Sequence, residues 1–177
     1  MTVWIALLRG INVGGVKVPM ADLRAAITDA GGSDVETYIQ SGNVVFAHPA
    51  RSEAKAKAAV EAEIAKILGR PIPTMLRSVA QWRGVVEANP YEPDSPTHLH
   101  VAFFDEPLPK GAFAAIDLDA FAPETFTVHG REVYLHLPGG MGRSKLAVEL
   151  NKGGKKAPVG TTRNWNTVLK LADLSAR

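Results

Sequence analysis

At 177 residues the chain is long enough for one large domain or two small interlocked ones, each able to bury a core. With 46% hydrophobic and 21% charged residues it is a folded soluble chain, and no apolar run approaches the roughly 20 residues of a membrane helix, so no membrane partner is expected. The absence of cysteine excludes disulfides, thiolate metal sites and cysteine nucleophiles and fits a reducing cytoplasm, while the net charge of +2 is too small to define a partner.

Val3 to Leu8 is continuously apolar, which suits a central strand covered on both faces and reads as a strand, not a leader peptide. After a glycine-rich loop, Pro19 stands where a helix starts without wasting an N–H. Met20, Leu23, Ile27 and Ala30 then recur at helical spacing until Gly31-Gly32 ends the run. Val35 to Ile39 and Asn43 to Phe46 flank the turn Gln40-Ser41-Gly42 and read as a hairpin. Ser52 to Leu68 is a second helix with Val60, Ile64 and Ile67 on one face, and Ile72 to Arg77 is a strand.

Residues 1–77 therefore spell βαββαβ, the order of a ferredoxin-like unit, in which two helices cover one face of a four-stranded antiparallel sheet. Residues 78–97 hold a connecting helix marked by Val79, Trp82 and Val86 and a proline-rich loop. The pattern then begins again over 98–177: a strand His98 to Phe104, a short helix Phe113 to Leu118, a hairpin of Phe126 to His129 and Glu132 to Leu137, and helices over 143–150 and 164–175. No final strand is evident. The expectation is an α+β protein of two pseudo-repeated ferredoxin-like units that interlock by sharing sheet elements.

Three glycine-then-cation segments stand before predicted helices: Arg9 to Lys17, Gly139 to Lys145, and Gly160 to Asn166. Helix starts expose unpaired N–H groups and the positive end of the macrodipole, so each is a candidate seat for an anion. The first is neither a P-loop, because Val16 separates Gly15 from Lys17 and Val18 replaces the metal-binding hydroxyl, nor a dinucleotide fingerprint, because its glycines stand at 10, 14 and 15. A tight strand-to-helix connection would also explain those glycines. In the second, Arg143, Ser144 and Lys145 offer a fork, a hydroxyl and a point charge. In the third, Thr162 or Asn164 would cap a helix, but the run of polar residues is denser than a cap requires.

Four ordered blocks resemble the signatures of domain of unknown function family 1697, a family of uncharacterised, mainly bacterial proteins: Ala6 to Gly15, Tyr38 to Phe46, Gly142 to Leu146, and Thr161 to Thr167. The resemblance implies a compact α+β protein of ferredoxin-like character and no established activity. The chain departs from the pattern in a shorter segment between Gly15 and Val18 and in a Gly- and Lys-rich stretch at 151–159, which reads as a mobile loop.

The reading that follows is a small phosphate- or carboxylate-bearing ligand held by Arg9, Asn12, Lys17, Gln40, Asn43, Arg143, Ser144, Lys145, Thr162, Arg163, Asn164 and Asn166. The alternatives are nucleic-acid binding and a structural or regulatory role without a small ligand. Nucleic acid is motivated by residues 141–170, which carry seven Lys or Arg against Glu149 alone, a charge of +6 that leaves −4 elsewhere; the chain lacks the aromatic-rich motif with which such sheets stack bases. His98 and His100 alternate on a strand without a clear carboxylate partner, so no metal is expected. No nucleophile–base pair or pair of acids stands out, and catalytic residues, cofactor and oligomeric state stay unassigned.

Overall fold

The computed structural model describes residues 1–15, 17–152 and 159–176. Two compact units divide the chain, Met1–Gly84 with Lys170–Arg177, and Val85–Leu169.

The first unit runs β1 (Thr2–Leu8), α1 (Met20–Asp29), β2 (Ser33–Tyr38), β3 (Asn43–His48), α2 (Glu53–Leu68) and β4 (Thr74–Ser78), and α3 (Val79–Glu87) leads out of it. Its antiparallel sheet has the order β2-β3-β1-β4. Alternation along β1 sends Trp4, Ala6 and Leu8 into a core with Leu23 and Ile27 of α1, Val60 and Ile64 of α2, and Phe46 and Leu76 of the neighbouring strands. Ile5 and Leu7, on the other face, are buried as well. That is the double burial the uninterrupted apolar run calls for.

The second unit runs β5 (Leu99–Phe104), β6 (Thr125–His129), β7 (Glu132–His136), α4 (Lys145–Lys152) and β8 (Gly160–Asn164), and α5 (Trp165–Ser175) follows. Its antiparallel sheet has the order β6-β7-β5-β8. Val133, Leu135, Leu137 and Leu146 form a core on which Phe104, Leu108, Phe113 and Phe126 pack.

Two expectations for this unit need correction. Phe113 to Leu118 is not a helix. Ala112 donates to Pro109, Ala114 to Gly111 and Ile116 to Phe113, so the segment closes successive i to i+3 turns before a 3-10 helix over Leu118–Phe121. Gly111, at φ +75°, and Asp117, whose carboxylate accepts from the Asp119 N–H at 3.1 Å, set turn geometry at both ends of the segment. The unit also has its final strand, β8. The sequence hides it because Gly160-Thr161-Thr162-Arg163-Asn164 lacks apolar alternation, and its pairing with β5 puts Gly160 where a Cβ would lie 2.8 Å from the Phe103 carbonyl oxygen.

Candidate functional site

Strand β1 delivers its C-terminal end beside the β2–β3 turn. The Leu8 N–H donates to the Gly42 carbonyl at 2.8 Å, and the Arg9 N–H to Pro73 at 2.9 Å. Asn12 then ties the glycine loop to the same turn. Its Nδ2 donates to the Gln40 carbonyl at 2.6 Å and the Val18 carbonyl at 3.1 Å, and its Oδ1 accepts from the Val18 N–H at 2.8 Å. A backbone φ of +54° at this position is one that Asn tolerates better than most residues. Gly42 makes the close approach possible: with φ +80°, a Cβ there would stand 2.7 Å from Ile11 Cδ1.

Asn43 is fully buried, and its Nδ2 donates to the Tyr38 carbonyl at 3.0 Å and Ser41 Oγ at 2.9 Å. Both asparagines thus brace the loops through their amides. Arg9 and Lys17 differ from them. Each is exposed, and neither side chain has a hydrogen-bond or ion-pair partner among the described residues; the same holds for the Gln40 amide. No side chain caps the start of α1, which follows Pro19. Val16, inside this loop, lies outside the described residues.

The start of α4 is arranged in the opposite way. Ser144 is buried, and its Oγ accepts from the Ala147 N–H at 2.8 Å, an N-cap to the third residue of the helix. Glu124 completes the cap. Its Oε2 accepts from the Leu146 N–H at 2.9 Å and from Ser144 Oγ at 3.1 Å. The chain therefore supplies its own carboxylate to the helix start where the sequence analysis expects an anion. Glu124 is a site residue that sequence reasoning missed, since nothing local marks an acid twenty residues before its partner. Arg143 and Lys145 flank this cap, exposed and without side-chain partners among the described residues.

The third block is strand followed by cap. The Asn164 Oδ1 accepts from the Thr167 N–H at 2.9 Å and caps α5. Arg163 is buried, and its Nη1 donates to Thr161 Oγ1 at 2.8 Å and the Thr162 carbonyl at 2.9 Å. Burial pushes its guanidinium pKa down to about 10, still far above neutrality. Thr162 and Asn166 are exposed.

The basic segment is more neutralised than its sequence implies. Lys152 pairs with Glu149 at 2.9 Å and Lys170 with Asp173 at 3.1 Å, and Arg163 is buried. Arg143 and Lys145 are its free cations among the described residues; Lys155, Lys156 and most of the expected mobile stretch lie outside them. His98 Nδ1 contacts Asp94 at 2.8 Å, a bond that holds the Asp94 carboxyl below its usual range. His100 is lowered first by burial and then by the nearby His98, and its Nδ1 has no partner among the described residues. No group of three or more His, Cys, Asp or Glu able to hold a metal occurs among the described residues, and no described helix is long and apolar enough to cross a membrane.

Fold and site together define an α+β protein of two four-stranded antiparallel sheets and five α-helices among its described residues, with loop-borne cations and helix starts largely closed by its own side chains. The chain belongs to the family described as "Protein of unknown function (DUF1697)", whose profile matches residues 1–134. Blocks Gly142 to Leu146 and Thr161 to Thr167 lie beyond the matched residues. It is also similar to the solved structure of a conserved bacterial protein from Streptococcus pneumoniae, with a TM-score of 0.80 and 25% identity, over 100% of this chain and 99% of that one. No curated protein matches the chain significantly.

Proposed function

We propose that the protein binds a small anion, phosphate- or carboxylate-bearing, at the Arg9–Lys17 loop of the first unit. The observation that carries this reading is the contrast among the three glycine–cation blocks. The helix after the second is capped by Ser144 and Glu124, and the helix after the third by Asn164. The helix after the first has no side-chain cap, and Arg9 and Lys17, in the chain segment that leads into it, lack side-chain partners among the described residues. Uncapped N–H groups, the positive end of a helix dipole and two unpaired cations favour an anion together. Asn12 and Asn43 then act as braces that hold the loop, and Arg143 and Lys145 flank the α4 cap of the second unit.

We also read the two units as a ferredoxin-like pseudo-repeat, since both sheets run in the same order, with the second strand of each unit outermost and the last strand beside the first. The cysteine-free composition and the likeness to a bacterial protein support a bacterial cytoplasmic setting.

Thermal unfolding with inorganic phosphate, pyrophosphate and citrate tests the binding reading. An anion at ten times its dissociation constant stabilises the folded chain by about 1.4 kcal/mol, which raises the melting temperature by roughly 3–6 °C for a chain of this size. The shift is expected to vanish in Arg9→Ala/Lys17→Ala and to survive in Arg143→Ala/Lys145→Ala. No shift with any of the three anions, or a shift retained in the first variant, overturns the assignment.

A further inference from the structure

Strand β6 is an open sheet edge. It lies at one end of the order β6-β7-β5-β8 and pairs with β7 alone, and its main chain makes no other hydrogen bond among the described residues. A two-residue turn, Gly130-Arg131, joins it to β7, with His129 opposite Glu132. In such a hairpin the residues flanking the turn form a hydrogen-bonded pair, and bonded and non-bonded pairs alternate from there. The N–H and carbonyl groups of Phe126 and Val128 consequently point away from the sheet.

The same two residues carry an apolar surface. Phe126 and Val128 share a face of the strand and line a cavity of about 430 Å³ with Leu108, Phe113, Ile116 and Leu118. On the other face Thr127 Oγ1 lies 2.8 Å from the Tyr91 hydroxyl, which holds the strand in place.

Sheet edges are ordinarily blunted by bulges, charges or proline. The outer strand of the first unit, β2, follows that rule: its register shifts between Ser33 and Glu36, Asp34 has φ +51°, and two acids stand on it. β6, Thr125-Phe126-Thr127-Val128-His129, has a continuous register and neither proline nor a carboxylate, lysine or arginine.

We propose that β6 pairs antiparallel with β6 of a second copy of this chain, about a two-fold axis through Thr127. This register satisfies both outward amide pairs at once, because Phe126 meets the partner's Val128 and Val128 meets the partner's Phe126. The contacts are aromatic against β-branched, a favourable cross-strand pair, and they join the two apolar cavities along one seam. Charge selects the occupant. β6 meets itself without opposing like charges, whereas β2 paired with itself would crowd four carboxylates into its seam.

Light scattering coupled to size exclusion, over a dilution series from micromolar to submillimolar protein, tests the pairing. The mass is expected to rise from 18.9 kDa towards twice that value with concentration. Val128→Pro removes an outward N–H and leaves the β7 ladder intact, and Val128→Lys adds an edge charge; each is expected to abolish the rise with the melting temperature unchanged. Thr127→Pro removes an inward N–H and is expected to lower the melting temperature. A wild-type mass of 18.9 kDa throughout overturns the proposal, as does a dimer that survives in folded Val128→Lys.

Discussion

Arg77 and Arg163 occupy matching places in the two sheets. Each stands on the last strand of its unit, Arg77 opposite Ile5 and Arg163 opposite Val101 on the first strand. Each is buried, and each donates from Nη1 to the carbonyl of the residue before it, Leu76 at 2.8 Å and Thr162 at 2.9 Å. A buried guanidinium is tolerable only when its donors are met, and in both strands the chain uses its own backbone for part of that requirement.

These two arginines therefore answer to stability. Arg163→Ala is expected to cost about 2–4 kcal/mol, since it leaves a cavity and strands Thr161 Oγ1, while Arg143→Ala, at an exposed position, stays within about 0.5 kcal/mol. Urea unfolding of the two variants beside wild type checks this. Equal losses would place Arg143 in the structural framework too.

The cap on α4 predicts coupling. Ser144→Ala and Glu124→Ala each remove a bond to the helix start and are expected to cost about 1 kcal/mol, with the double variant costing less than the sum because Glu124 also accepts from Ser144 Oγ. A double-mutant cycle by thermal or urea unfolding measures this. Strict additivity would mean that the two caps act independently.

Gly42 is expected to resist substitution. Gly42→Ala brings a Cβ within 2.8 Å of Leu8 Cβ and within 2.7 Å of Ile11 Cδ1 at a φ of +80°. The change should cost about 1–3 kcal/mol from strain and crowding, and it should loosen the Arg9–Lys17 loop. Amide hydrogen exchange over residues 8–18 is expected to accelerate in the variant, whereas Gly69→Ala, at φ +64° with nothing near its Cβ, should leave that loop unchanged.

His100 gives the fold a pH dependence on the acid side. Burial lowers its folded pKa below the ordinary value of 6.5, so the unfolded chain takes up the proton first. Its contribution to stability is full above 6.5 and is lost as pH falls through the lower folded value. The urea midpoint of wild type should drop between pH 7.5 and pH 5.5 by more than that of His100→Leu. A variant with the same drop would assign the acid sensitivity to other groups.

Much of the architecture is legible locally. The apolar run of β1, the helical spacing of Leu23 and Ile27, and the glycine turn between β2 and β3 each carry a period or a stop signal within a few residues. Strand β8 is not legible that way, because its polar residues are held by pairing with β5, nor is the turn-rich segment around Phe113, where turns at Gly111 and Asp117 outweigh apolar spacing.

By itself the sequence determined the order of elements in the first unit, the glycine-rich entries to the helices and the family, since these rest on spacing and residue type within short windows. Which helix starts remain open was decided by tertiary structure alone. Glu124 reaches the start of α4 from twenty residues away, and Asn12 braces its loop against Gln40 across twenty-eight. A cap is a matter of distance in space, and chain spacing carries no record of it until the sheets have brought the partners together.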